Sequence, residues 1–205
     1  MLGLGEVFTL LFVTLGPMKL LGPYAQQTQS LDPAALRKIA QRSFGIGLLV
    51  VVVGGYVGKV LAASWHLSVP AIAIATGIIF FLVAIDLVLS TYNGTQATAA
   101  PLPSDPMLAT LRVTFPLLVT PYGIAAVIAL FVASSNMQRT VWIDVMLLVV
   151  MLLNFLAMLY ARQILRGPMR LVLQVLGSVL GVLQVALAVQ IVIGALRILH
   201  VMPPA

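Results

Sequence analysis

The sequence predicts an all-α, polytopic membrane protein of six transmembrane helices, arranged as two inverted three-helix repeats with broken first and fourth helices. Three observations predict it. Of 205 residues, 61% are hydrophobic and 8% charged, with a mean hydropathy of +1.14. Six apolar runs are each long enough to cross a bilayer. The chain laid on itself at an offset of 104 superposes proline, glycine, tyrosine and polar positions.

Soluble domains sit near 45–50% apolar with about a quarter of residues charged. The excess apolar surface here is too large for one soluble core, so lipid is the solvent. No water satisfies backbone amides at membrane depth, so the apolar runs are expected to be helices. The alternating pattern of a membrane β-barrel is absent. The chain has no cysteine, which excludes disulfides, thiol catalysis and cysteine-ligated metals. His66 and His200 fall near predicted helix ends, which argues against a histidine metal site, and no cofactor is expected. The net charge of +6 gathers in two short clusters between apolar runs. That arrangement orients a membrane protein and does not suit nucleic acid as a partner. Met1-Leu2-Gly3-Leu4 lacks the basic region of a signal peptide, and no small-x-small cleavage site follows.

A transmembrane helix needs about 20 apolar residues. The first run, 4–26, contains Gly16-Pro17 and Gly22-Pro23. The second covers 43–63 and the third 70–91. A linker rich in Thr, Ala, Pro and Ser spans 92–106 and divides the chain into repeats at 1–91 and 107–205. The fourth run, 107–133, contains Pro116, Pro121 and Gly123. The fifth covers 141–165 and the sixth 171–200. Arg37, Lys38 and Arg42 follow the first helix, and Arg162, Arg166 and Arg170 follow the fifth. Six helices put both clusters on one side, against only Lys59, Arg139 and Arg197 on the other. The positive-inside rule then places both termini outside the cytoplasm.

Under the offset of 104, Pro17 meets Pro121, Tyr56 meets Tyr160, and Gly77 meets Gly181. Ser30-Leu31-Asp32 meets Ser134-Ser135-Asn136, and Ala84-Ile85-Asp86 meets Ala188-Val189-Gln190. Three helices per half force the halves into opposite orientations, the plan of many secondary transporters. In that plan, paired Gly/Pro interruptions mark discontinuous helices at the substrate site. Here they are Gly16-Pro17-Met18-Lys19 through Gly22-Pro23, and Thr120-Pro121-Tyr122-Gly123. A broken helix offers free N–H donors to an anion, and an amino-acid carboxylate suits them. Simple proline kinks are the competing reading.

Asp86 is the one acidic residue this reading puts well inside a helix, with Gln190 as its repeat mate. It either carries a coupling proton or, about five residues from the predicted helix end, reaches the interface. Lys19 either faces the site or snorkels outward. Asn154, mid-helix, needs an interhelical partner. Gly54 and Gly58, like Gly177 and Gly181, are spaced for close helix packing, and small residues on helix faces allow a homo-oligomer. Tyr56 and Tyr160 read as packing residues or paired gates, and Trp65 and Trp142 as interfacial anchors. Asn93-Gly94-Thr95 matches a glycosylation sequon but falls in the predicted cytoplasmic linker.

These residues resemble the MarC family, also called the neutral amino acid transporter family, among the LysE-like exporters. The resemblance spans nearly the whole chain. It rests on Gly16-Pro17-Met18-Lys19, Arg37-Lys38-Ile39-Ala40 and the run from Ala75 to Asp86 in the first half. In the second half it rests on Phe115-Pro116-Leu117-Leu118-Val119-Thr120-Pro121-Tyr122-Gly123, Gly181-Val182 and Ala188-Val189-Gln190. The chain departs from the family pattern at Gly16, where the family has Asn, and at Lys19, Thr120 and Tyr122, where it has Gly. The resemblance implies a bacterial inner-membrane protein moving small neutral amino acids, with proton coupling suggested for some relatives. The expected partners are therefore a small-molecule substrate and the lipid bilayer. A non-transporting assembly or lipid-handling protein is the alternative. A membrane-embedded enzyme is disfavoured, because no nucleophile, acid and base cluster together.

Overall fold

A computed structural model describes residues 3–92, 102–103, 105–134, 136–165, 169–199 and 201, with backbone alone at 86–88, 90–92, 169–174, 177–178 and 180. The sequon and most of the predicted linker lie outside the described residues. The secondary structure described is helical: α1 (Leu4–Leu15), α2 (Pro17–Gln27), α3 (Pro33–Ser64), α4 (Val69–Tyr92), α5 (Pro106–Arg112), a π-helical turn at Val113–Leu118, α6 (Pro121–Val132), α7 (Met137–Ile164) and α8 (Met169–Ile198).

Polar residues ahead of the apolar runs start these helices. The Asp32 carboxylate accepts from the Ala35 amide at 3.4 Å, and Pro33 follows it at the first helical position. Asn136 Oδ1 accepts from the Arg139 amide at 2.8 Å, and the Asp105 carboxylate from the Met107 amide at 2.7 Å. These caps move two boundaries. Helix α3 begins at Pro33, ahead of the 43 predicted, so Arg37, Lys38 and Arg42 lie on its first turns and not in a loop. Helix α7 begins at Met137, ahead of 141. Turns standing in water need a cap but no apolar residues, so the apolar run understates both helices. Thirty-two residues make α3 about 48 Å long, well beyond a hydrocarbon core of about 30 Å.

Leu4–Gln27, Pro33–Ser64, Met137–Ile164 and Gly181–Ile198 are long and apolar enough to cross a membrane. The pair Pro106–Leu118 and Pro121–Val132, bent by 61°, makes a fifth candidate span. Val69–Ile85 is apolar but shorter. Helices α3 and α7 turn large apolar side chains outward, among them Leu49, Val53, Val60, Leu148 and Leu152. Apolar faces of that extent suit a lipid environment.

The chief helix packing runs between the halves. Helix α2 lies on α7 as α6 lies on α3, and α1 lies on α6 as the π-helical turn lies on α2. Helix α4 runs along α8, and α3 along α7. The core is thus shared, with Leu11, Leu20, Tyr24, Leu118, Phe131, Leu147 and Met151 fully buried. The close approach of α3 to its neighbours uses Gly58, as the spacing suggested, where a Cβ would stand 2.5 Å from Ile128, but not Gly54. A Cβ on Gly55 would stand 2.6 Å from Phe131, and one on Gly47 2.7 Å from Leu118. A Cβ on Gly54 would meet only Ile124, at 3.9 Å.

Gly55→Ala is therefore expected to lower stability by about 1–3 kcal/mol through overpacking, and Gly54→Ala to leave it unchanged or slightly raised. Thermal unfolding in detergent separates the two. Equal midpoints would remove the close-packing assignment.

Candidate functional site

A helix that ends leaves its last carbonyls without amide donors. In water that matters little, but inside a membrane each needs a partner. Helix α1 ends at Leu15 because Gly16 turns extended, at φ −75° and ψ 169°, and Pro17 has no N–H to give. The carbonyls of Val13, Thr14 and Leu15 lie on that last turn. Side chains from the second half take all three. Gln184 Nε2 donates to Val13 O at 3.4 Å, Thr120 Oγ1 to Thr14 O at 3.3 Å, and Asn154 Nδ2 to Leu15 O at 2.5 Å. The second Asn154 proton goes to Val150 O at 3.1 Å on its own helix. Thr120 also accepts from the Gly123 amide at 3.1 Å and so caps α6.

The two breaks thus meet. Thr120 starts α6 as Gly16 starts α2, and both glycines fit where no side chain would. A Cβ on Gly16 would overlap the Phe12 carbonyl, and one on Gly123 would reach within 2.3 Å of Leu15 Cδ2. Lys19, in the first turn of α2, crosses to the second break. Its Nζ donates to Tyr122 Oη at 2.9 Å and lies 4.2 Å from the ring centroid. The Tyr122 ring stacks on Phe80 of α4, with centroids 6.3 Å apart. No carboxylate pairs with Lys19 among the described residues.

Gly16, Pro17, Lys19, Thr120, Tyr122 and Gly123 are therefore brought to one place, and Pro121 stands exposed at the head of α6. Gly22 is not part of a break. Helix α2 runs unbroken through Gly22-Pro23, and a Cβ on Gly22 would meet nothing within 4 Å. The Asp86 side chain lies outside the described residues, and Gln190 is exposed on α8. Among the described residues no group of three or more His, Asp or Glu could hold a metal.

Three features escaped the sequence reading. Gln184 was detectable as an amide inside an apolar run, on the same argument that singled out Asn154. Asp144 falls two turns into α7, so Asp86 is not the one acid inside a helix. Tyr56 donates to Asp144 Oδ2 at 2.7 Å and packs on Phe131 at 4.8 Å, and both Tyr56 and Tyr160 are exposed. Arg162 belongs to α7 rather than to a loop, and it ties down the end of α2. Its Nη2 donates to Thr28 O, and to Leu31 O at 2.6 Å. A cleft of about 370 Å³ opens there, lined by Ala25, Gln29, Arg162 and Leu165.

Thr120→Val removes both the α6 cap and the donor to Thr14. A loss of about 1–2 kcal/mol is expected, with Thr120→Ser near wild type. Unfolding midpoints in detergent check this, and an unperturbed Thr120→Val would remove the clamp.

A model of the MarC family integral membrane proteins matches residues 2–200. No curated protein and no solved structure matches the chain. The matched stretch takes in every helix from α1 to α8 and both breaks: the chain belongs to the MarC family of integral membrane proteins.

Proposed function

We propose that the chain is a secondary transporter of small neutral amino acids or similar zwitterionic metabolites, with the substrate carboxylate held between Lys19 and the first turns of α2 and α6. The observation that carries this is the position of Lys19. An ammonium group inside a membrane protein is costly, and here it lies on Tyr122 between two helix breaks with no carboxylate partner described. Helix N-termini add positive potential at the same point. An incoming carboxylate would offset the desolvation of the lysine, and the apolar surroundings would exclude strongly charged solutes.

The six-span inverted repeat belongs to the same proposal. Its support is that helix limits repeat near the offset of 104 and that packing partners exchange between the halves. Orientation follows the basic residues. The Arg162 contacts bring the start of α3, with Arg37, Lys38 and Arg42, to the end of α7. Lys59 and Arg139 lie toward the opposite ends of those helices. The positive-inside rule then puts the Arg162 end in the cytoplasm and both termini in the periplasm of a bacterial inner membrane. Asp86, with Gln190 opposite in the repeat, is the proposed carrier of a coupling proton.

The test is uptake of labelled alanine, glycine and serine into proteoliposomes, with and without a pH gradient. Saturable, gradient-stimulated uptake is expected. Lys19→Met should raise KM about tenfold or more, equivalent to at least about 1.4 kcal/mol of lost carboxylate binding. Wild-type kinetics in that variant would sink the carboxylate site. Asp86→Asn with full gradient dependence would remove the proton role. No uptake by folded protein in both orientations would favour the assembly or lipid-handling alternative.

A further inference from the structure

Buried polar atoms are almost always hydrogen-bonded, and those that are not call for an explanation. Two of them belong to side chains that bond to the same turn of α1. Asn154 Oδ1 and Gln184 Oε1 are buried and accept no hydrogen bond. The residues that carry them are 0% and 3% exposed. Both amides are fixed by their nitrogens to the same helix end, Asn154 to Leu15 O and Gln184 to Val13 O. The carbonyl of Thr14 lies between those two. Each carbonyl oxygen keeps a second lone pair beyond the one its side-chain donor uses. The C-terminal end of α1 is also the negative end of its dipole.

We propose that this cluster is a binding site for an alkali-metal cation, formed by the α1 carbonyls at Val13, Thr14 and Leu15 with Asn154 Oδ1 and Gln184 Oε1. Every oxygen in the set is neutral. That matches a single positive charge stripped of water, whereas Ca²⁺ recruits carboxylates and transition metals recruit imidazole or thiolate. No group of three or more His, Asp or Glu among the described residues could serve those metals. Among the described residues the repeat offset does not produce a second copy of this cluster. At the offset of 104, Asn154 and Gln184 correspond to Val50 and Phe80, which offer no side-chain oxygen.

The coupling role of the site rests on the transporter reading, but the site itself does not. Across Gly16-Pro17, the α1 end favours a cation, while the start of α2 and Lys19 favour a carboxylate. Ion and substrate would neutralise each other across the break, so each should tighten the other. This cation is separate from any proton on Asp86.

The experiment uses the full chain purified in detergent, with choline chloride replaced by NaCl or KCl at constant ionic strength. The unfolding midpoint is expected to rise saturably, by about 2–4 °C, in at least one alkali salt. Gln184→Leu should abolish the rise while remaining monodisperse. Gln184→Glu, which adds a negative charge, should reach half-effect at about tenfold lower salt. Should Asn154→Leu not fold, the two Gln184 variants still decide the matter. Equal midpoints in choline, sodium and potassium would overturn the proposal and leave two oxygens unsatisfied or bound to water. Alanine binding that needs no alkali ion yet disappears in Gln184→Leu would also overturn it, assigning the oxygens to the substrate's ammonium group. Alkali-specific stabilisation without any amino-acid uptake would uphold the site and remove the transporter reading.

Discussion

The end of α1 governs this structure. A helix stopped inside a membrane strands three carbonyls, and no water at that depth satisfies them. Val13, Thr14 and Leu15 are answered by Gln184, Thr120 and Asn154, which come from three helices of the second half. The first half therefore cannot close its own break. It needs α6, α7 and α8 in position, and the same dependence appears in packing that runs chiefly between the halves. The break is the joint that ties the two halves of the chain together.

The helix positions were legible wherever sequence alone settles local structure. Pro17 and Pro121 both open a half-helix, and Asp32 and Asn136 both cap a long one, 104 residues apart. Proline and capping side chains act on their own few residues, so one chain suffices to read them. Gly22-Pro23 misled for the opposite reason. Proline removes one amide, but α2 tolerates that loss because the next turn continues and Gly22 meets no neighbour. The starts of α3 and α7 were misplaced because hydropathy reports the membrane-embedded part of a helix and not its watery turns. Misplacing α7 in turn hid Asp144.

The candidate site was half legible. The fixed offset paired the breaks, which is why Gly16, Pro17, Lys19, Thr120, Tyr122 and Gly123 emerged together. What it could not supply was the chemistry between them. Donors to the α1 carbonyls sit 106, 139 and 171 residues away in sequence, and no local pattern announces such partners. The offset of 104 does not reveal them either. Asn154 and Gln184 correspond to Val50 and Phe80, Thr120 to Gly16, and Tyr122 to Met18. The halves share a backbone plan and differ in the polar atoms laid on it.

That difference distributes strength unevenly along the molecule. At the Arg162 end, one guanidinium ties α7 to the carbonyls after α2. At the opposite end, a hydroxyl–carboxylate bond from Tyr56 to Asp144 joins α3 to α7. Each is a contact of modest net worth, because water or headgroups replace it on parting. Opening the centre would expose three carbonyls and the Lys19 ammonium to a medium without substitutes. The polar contacts at the two ends can therefore exchange with solvent, whereas those at Gly16 and Thr120 have no substitute and hold the breaks together.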